Sequence, residues 1–434
     1  MKFCTTTLGC KVNQYDTGII ETILLDKGHE HVKLGEGCDV CILNTCAVTE
    51  QSVRKSRQAL QRMKKLEPAA LYVMCGCFSE LDPETAEKIG ADLTGGTKDR
   101  EDFALKIEDL VLTKQGSTTF FREEKKTKSS PCLASPRTRA LLKIQDGCNN
   151  FCTYCIIPYA RGPSRSLPLE QIIEKAKKLA TQGYKETVIT GIEISSYGKD
   201  SARQGDGSLV LSPHPLITAV RSVNTVAPEI RIRLGSLDPA LITPKFTEDL
   251  SKIPNICNHF HLSLQSGCDD VLKRMGRKYT AAQVQQAINT LKKAFENCAI
   301  TADLIVGFPG ETQAEFDETH KFIKQAGFAK VHIFPYSKRP GTLAANMPDQ
   351  IKKNTKTQRT RIITEAAKKS EIKFKQSQIG KTLEVLFEQH KNGISKGHTS
   401  NYLQVAVNEK IPKNTIHKVK LADIKNDVLT GKIV

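Results

Sequence analysis

The run Cys148-Asn-Asn-Phe-Cys152-Thr-Tyr-Cys155 spaces three thiols as C-x3-C-x2-C. It follows an apolar stretch, Ala140–Ile144, that predicts a strand, through the short link Gln145-Asp146-Gly147. Three thiolates this close can hold three corners of a [4Fe–4S] cube and leave the fourth iron open to a small molecule. A closed zinc site wants a fourth Cys or His, and none stands in this loop. Zinc and simple burial of small thiols are the competing readings.

Downstream of the triplet, strand and helix patterns alternate. Candidate strands are Thr187–Thr190, Ile230–Leu234, His259–Leu264, Thr301–Val306 and Lys330–Phe334; helices such as Pro168–Gln182, Ala281–Phe295 and Gln313–Gln325 fill the gaps. Six strands, counting Ala140–Ile144, with helical crossovers predict a partial (β/α)6 barrel over residues 134–365. Polar groups follow the strands, where such a barrel builds its site: Thr190, Gly191 and Glu193; Arg233, Ser236 and Asp238; Gln265; Asp303. Taken singly, each can be a turn or cap residue.

Upstream, residues 1–112 alternate in the same way: Phe3–Leu8 (strand), Asn13–Lys27 (helix), Val40–Asn44 (strand), Glu50–Leu66 (helix), Leu71–Met74 (strand) and Pro83–Ile89 (helix). This predicts an open parallel α/β sheet. Cys10, Cys46 and Cys77 each follow one of its strands, where ligands gather in such sheets. Three separate core positions are the alternative. Residues 113–133 are polar and charged and read as a linker. The stretch 351–375 holds nine Lys or Arg against two Glu and predicts a basic helix. Residues 372–434 read as a small all-β barrel with strands at Thr382–Phe387, Tyr402–Val407, His417–Leu421 and Val428–Val434. The fold class is thus α/β with a terminal β barrel.

Composition sets the limits. The 434 residues carry 64 Lys or Arg against 47 Asp or Glu, a formal charge of +17, which favours a polyanionic partner. With 39% hydrophobic residues the chain is neither disordered nor collagen-like. No apolar run approaches the ~20 residues of a membrane span, and Met1–Thr7 lacks an apolar signal core. A cytoplasmic location is expected. There, 14 cysteines read as metal ligands or reactive groups rather than disulfides.

The triplet, with its aromatic Tyr154 before the last Cys, resembles the radical S-adenosylmethionine (SAM) superfamily. The resemblance implies that Cys148, Cys152 and Cys155 hold a [4Fe–4S] cluster whose open iron binds SAM, with Tyr154 shielding it. It implies SAM contacts at Thr190, Gly191, Glu193, Arg233, Ser236, Gln265 and Asp303. Leu8-Gly-Cys10-Lys-Val-Asn13-Gln, Asn44-Thr-Cys46-Ala-Val and Gly76-Cys77 resemble the N-terminal domain of the methylthiotransferases. In that family a second [4Fe–4S] cluster sits there, which implies Cys10, Cys46 and Cys77 as its ligands. Cys4, Cys38, Cys41, Cys75, Cys132, Cys257, Cys268 and Cys298 match no ligand position and read as packing or free thiols. Gly397-His-Thr399-Ser-Asn401-Tyr402 resembles the OB-like, RNA-binding TRAM domain.

The resemblance as a whole implies an enzyme that inserts a methylthio group at an unactivated C–H bond, C2 of an adenine in the RNA members. Its needs would be SAM, two [4Fe–4S] clusters, an electron donor of the flavodoxin or ferredoxin kind, and a sulfur source. Lys11-Val12-Asn13 and Gly96-Thr-Lys-Asp99-Arg100 resemble the branch acting on N6-threonylcarbamoyladenosine at tRNA position 37. The other branches act on N6-isopentenyladenosine at that position or on a ribosomal-protein aspartate. A cluster-bearing RNA-binding or electron-transfer protein without this chemistry is the reading of another class. Contacts to the anticodon stem-loop are expected from Lys352, Lys353, Lys356, Arg359, Arg361, Asn401 and Tyr402.

Overall fold

A computed structural model describes residues 1–114, 138–200 and 214–434. Most of the expected linker, and Cys132, lie outside the described residues. The described chain divides into two compact units: residues 1–114, 146–164 and 337–345, and residues 138–145, 165–200, 214–336 and 346–434.

The first unit is built on five parallel strands in the order Glu30–His31, Lys2–Thr7, Val40–Thr45, Leu71–Gly76, Leu93–Thr94. Val40–Thr45 is buried along its whole length: Val40–Leu43 are continuously apolar rather than alternating, and the buried Asn44 and Thr45 side chains that follow are hydrogen-bonded. Successive side chains point to opposite faces. Cys41 and Leu43 pack with Leu60, Met63 and Phe78, while Val40 and Ile42 pack with Phe3, Ile20, Val73 and Phe103. Helix Glu50–Leu66 starts where expected, because the Thr49 side chain accepts the Ser52 N–H. Helix Arg100–Lys114 runs into the first residues of the expected linker.

The second unit carries the strand–helix alternation in two sheets. One orders Arg231–Leu234, Glu186–Thr190 and Arg139–Lys143; the other orders Ser236–Leu237, His259–Gln265, Ala299–Val306 and Lys330–Pro335. The third expected strand, Ile230–Leu234, is observed as Arg231–Leu234, and a further short strand, Ser236–Leu237, which was not expected, follows across Gly235 in the other sheet. The Gly235 N–H bonds to Ile189 O at 2.8 Å, and a Cβ there would sit 3.0 Å from the same oxygen. The chain thus leaves one sheet and joins the next at a residue with no side chain.

Strands Thr382–Lys391, Ile394–Thr399, Gln404–Val407, Val428–Ile433 and Thr415–Lys425 close into a barrel over Val385, Phe387, Val405, Val419 and Leu429. Sequence reading missed Ile394–Thr399, whose Gly, Ser, Lys and His look like loop. The signal was Asn392-Gly393, both with positive φ (52° and 75°), a two-residue hairpin turn before Ile394. Helix Lys353–Gln376 buries Ile363, Ala366 and Ala367 on its inner stripe. Among the described residues no helix is long and apolar enough to cross a membrane.

Candidate metal centre

Register brings the first set of cysteines together. Thr7 pairs with Asn44, and Asn44 with Cys75, so three adjacent strands end at one level. Cys10, Cys46 and Cys77 stand just beyond those ends. Gly9 (φ +99°) and Gly76 (φ +97°) precede two of them in backbone conformations that L side chains rarely adopt. A Cβ on Gly9 would lie 3.1 Å from Cys46 Sγ, so the first two turns touch. Cys10 caps helix Lys11–Asp26 and Cys77 opens helix Cys77–Leu81, positions that favour an anionic sulfur. Burial raises the Cys46 thiol and pushes Cys77 up to about 12, while the nearby Arg161 guanidinium works against both shifts. Metal ligation removes such protons outright. A donor set of three convergent thiols beside one buried cation fits an anionic iron–sulfur group.

Arg161 was not anticipated from sequence. Its side chain is wholly buried. Nη1 donates to both Asp146 carboxylate oxygens (2.9 and 3.1 Å); Nη2 donates to Asn13 Oδ1 (2.6 Å) and Asp16 Oδ2 (3.1 Å). Burial opposes its charge, but Cys77, Asp16 and Asp146 hold the guanidinium pKa above its ordinary value. Asn13 in turn donates to Leu8 O and Thr45 O, each at 2.8 Å, tying the turns that carry Cys10 and Cys46. The only sequence signal was a charged residue just after the apolar run Ile156-Ile157-Pro158.

The triplet belongs to the same unit. Cys148 N–H donates to Gly162 O at 3.1 Å and Cys155 N–H to Cys152 O at 2.9 Å, which folds the loop back on itself. Gly147 (φ +70°) leaves no room for a Cβ beside Pro163 O. The Asn150 N–H lies 3.5 Å from Cys148 Sγ, a backbone donor of the kind that tunes cluster sulfurs. Cys152 is buried; Cys148, Cys155 and Tyr154 are half-buried. No disulfide joins the described cysteines.

In the second unit the residues expected around SAM separate into two groups. Thr190, Gly191, Glu193, Ser236 and Gln265 lie at strand ends. Glu193 N–H donates to Gln145 Oε1 (2.8 Å), and a Gly191 Cβ would meet that same oxygen at 2.8 Å, so the backbone there is closely fitted. Burial, then the charge of Asp238, raises the Glu193 carboxyl pKa. Ser236 Oγ lies 2.8 Å from Ser263 Oγ. Gln265 has φ 67° at an irregularity of its strand. Asp303 lies further back, within Ala299–Val306, and its Oδ2 is 3.2 Å from His261 Nε2.

Arg233 departs from expectation. Its guanidinium is bound by Glu186 (2.8 and 3.1 Å) and donates to Ser400 O (2.8 Å) and Thr399 O (3.3 Å) of the terminal barrel. It clamps that barrel and is spent on structure.

The expected RNA contacts divide likewise. Lys352, Lys353 and Arg361 are exposed. Lys356 is half-buried, with Nζ 3.0 Å from Tyr336 O. Arg359 is buried, paired with Glu311 at 2.6 Å and stacked over Phe316, so it does not face a phosphate. Asn401 is also buried; its Nδ2 donates to Asn297 O at 3.1 Å. Both correct the sequence expectation. Tyr402, at φ 68°, is 38% exposed and lies between His259, His398, Arg139 and Arg233.

Two family models match the chain: the Radical SAM superfamily over residues 142–323 and the uncharacterized protein family UPF0004 over residues 2–95. The chain is 38% identical to the threonylcarbamoyladenosine tRNA methylthiotransferase MtaB of Bacillus subtilis (strain 168), covering 92% of this chain and 88% of that protein. It is 32% identical to the tRNA-2-methylthio-N(6)-dimethylallyladenosine synthase of Geobacillus kaustophilus (strain HTA426), covering 100% of this chain and 82% of that one. Its fold is similar to the radical SAM methyltransferase TsrM of Kitasatospora setae, solved with cobalamin and a [4Fe–4S] cluster (TM-score 0.56, 13% identity, 79% of this chain and 77% of that chain).

Proposed function

Because the chain belongs to the radical SAM methylthiotransferase family, we propose that it inserts a methylthio group at C2 of N6-threonylcarbamoyladenosine at position 37 of tRNA. One observation carries this reading: Cys10, Cys46 and Cys77 gather at three strand ends in the same compact unit as the Cys148–Cys155 loop. A lone electron-transfer centre needs one such trio, not two.

On this reading Cys148, Cys152 and Cys155 hold the cluster that binds SAM, and Cys10, Cys46 and Cys77 hold the second. When bound, the clusters and SAM supply the radical and the sulfur for a C–H bond too weakly acidic for a side-chain base. The protein's own residues position and shield. Arg161 places positive charge beside the second trio, and Asn13 fixes the turns that present it. Thr190, Gly191, Glu193, Ser236, Gln265 and Asp303 are assigned to SAM contacts, and Tyr154 to shielding of the first cluster, on the family resemblance. No Asp, Glu or His is assigned as acid or base.

We read residues 1–112 as the second-cluster domain, 134–365 as the radical SAM core and 372–434 as an RNA-binding TRAM domain. Exposed Lys352, Lys353 and Arg361 supply phosphate contacts for the anticodon stem-loop, with Tyr402 a candidate stacking surface. A flavodoxin- or ferredoxin-like donor and a separate sulfur source complete the cytoplasmic reaction. The threonylcarbamoyl substrate is supported by Lys11-Val12-Asn13 and by the names of the MtaB relatives.

Mass spectrometry of tRNA nucleosides from a strain lacking the protein tests this. The expected change is loss of 2-methylthio-N6-threonylcarbamoyladenosine with the isopentenyl counterpart intact; the reverse loss would move the chain to the other tRNA branch. Anaerobic reconstitution should give two [4Fe–4S] clusters and 5′-deoxyadenosine from SAM on reduction.

A further inference from the structure

Cys4, Cys38 and Cys41, expected as packing or free thiols, meet at one point. Cys4 Sγ lies 3.3 Å from Cys41 Sγ and 3.6 Å from Cys38 Sγ, and Cys38 Sγ is 3.5 Å from Cys41 Sγ. Cys4 and Cys41 are register partners on adjacent parallel strands, and Cys38 reaches in from the preceding loop. That loop is held independently of the sulfurs. The buried Glu67 carboxylate accepts the N–H groups of Gly35 (2.7 Å), Gly37 (3.1 Å) and Cys38 (3.3 Å). With three backbone donors on it, Glu67 acts as a brace for the loop.

This point is far from the second-cluster trio. Cys41 precedes Cys46 by five residues of extended chain, roughly 16 Å at ~3.3 Å per residue. The 3.3–3.6 Å spacing of Cys4, Cys38 and Cys41 is also tighter than ligands of a cube adopt. Thiolates on a cube each take their own iron and are held apart by it. Thiolates sharing one tetrahedral ion at ~2.3 Å stand only about 3.8 Å from one another. The observed separations need to open by a few tenths of an ångström to reach that. Soft thiolates select zinc or copper(I) among common ions.

We infer that Cys4, Cys38 and Cys41 form a third thiolate site, which takes a single thiophilic ion of the zinc(II) or copper(I) class. Cys4 and Cys41 are shut in, whereas Cys38 is half-buried and leaves one side for the ion to enter and for a water ligand. Loading replaces thiol protons, which leave to solvent, with metal–sulfur bonds and involves no change of redox state. The ion would join strands Lys2–Thr7 and Val40–Thr45 and the loop that carries Cys38, at the sheet end away from Cys10, Cys46 and Cys77.

The test uses the full chain, reconstituted anaerobically with iron and sulfide so that the cluster cysteines are occupied. Zinc(II) and copper(I) are added in separate arms, weakly held metal is removed with a chelator, and the retained ion is counted. X-ray absorption at the metal edge reads its ligands. The expected result is one zinc or copper ion per chain with three sulfur neighbours, at about 2.3 Å for zinc. Cys38→Ser should weaken binding at least roughly 10-fold with iron content unchanged. Cys4→Val, which keeps the core apolar, should do the same. Retention of neither ion by the iron-replete wild type overturns the proposal, as does equal retention by Cys38→Ser or a Cys4–Cys41 disulfide in peptide maps of anaerobic protein. Iron content reports separately on the two clusters, so their failure is distinguishable from failure of this site.

Discussion

The guanidinium of Arg161 lies 3.1 Å from Asp16 Oδ2, and neither side chain is exposed to solvent. A pair this deep contributes little over an apolar pair of the same shape, but removing one partner strands the other's charge. Arg161→Met therefore takes the nearer guanidinium away from the buried Asp16, with Arg100 standing further off at 3.7 Å. The expected loss is about 3–5 kcal/mol in urea unfolding, together with lower iron incorporation, because Cys77 also loses its neighbouring cation. Arg161→Lys keeps the charge but not the fork and should recover part of both.

Glu186 gives a pH signature to the contact between the second unit's sheet and the terminal barrel. Burial pushes its carboxyl up, but Arg233 and Arg231 outweigh this and hold it near 2, below the ordinary 4.5. A carboxylate depressed in the folded state stabilises fully above its unfolded pKa, and that stabilisation is lost as pH falls from about 4.5 towards 2. Guanidinium chloride unfolding at stepped pH should show a decline that Glu186→Gln flattens. At pH 7 the same variant should be less stable by about 3 kcal/mol, because two buried arginines lose their anion. An unchanged pH slope in Glu186→Gln would remove Glu186 as its source.

Much of this was legible because the chain announces its periods. Val40–Asn44 reads as a buried strand, and the structure confirms it as Val40–Thr45. What sequence could not show was depth. Arg359 looked like one more cation of a basic helix, yet it stands four and seven residues before Ile363 and Ala366, on the buried stripe. That periodicity was available, and charge overshadowed it. Arg233 and Asn401 were different. Their partners lie more than a hundred residues away in the chain, at Thr399, Ser400 and Asn297, and local pattern carries no trace of them. Cys4, Cys38 and Cys41 needed the strand order itself, since only the parallel pairing of Lys2–Thr7 with Val40–Thr45 brings residues 4 and 41 side by side.

The basic helix separates charge that can bind from charge that is structural. Lys352 and Lys353 are exposed at its start, so Lys352→Glu with Lys353→Glu should weaken tRNA binding without unfolding the chain. For every phosphate no longer neutralised, the slope of log affinity against log salt should fall by about 0.7–0.9. Arg359→Ala should act the opposite way: stability falls because the buried Glu311 loses its counter-charge and keeps the Gly307 N–H, while the salt slope of the remaining folded protein stays the same. Binding measured at several salt concentrations, alongside thermal unfolding, separates the two.

Cys10 and Cys152 test whether the two trios have separate duties. Cys10 is exposed at the head of its helix, so Cys10→Ala removes a sulfur without opening a cavity. Cys152 sits in the folded loop of the triplet, whose backbone is closed by the Cys148–Gly162 and Cys155–Cys152 bonds. If the triplet alone serves SAM, the reduced Cys10→Ala protein should still release 5′-deoxyadenosine at close to the wild-type rate and form no methylthio product. Cys152→Ala should lose both activities. Circular dichroism and iron content establish that each variant is folded and carries its remaining cluster. A folded Cys10→Ala protein that has lost SAM cleavage as well would mean that the trios act as one centre, and the division of labour argued from their positions would fall.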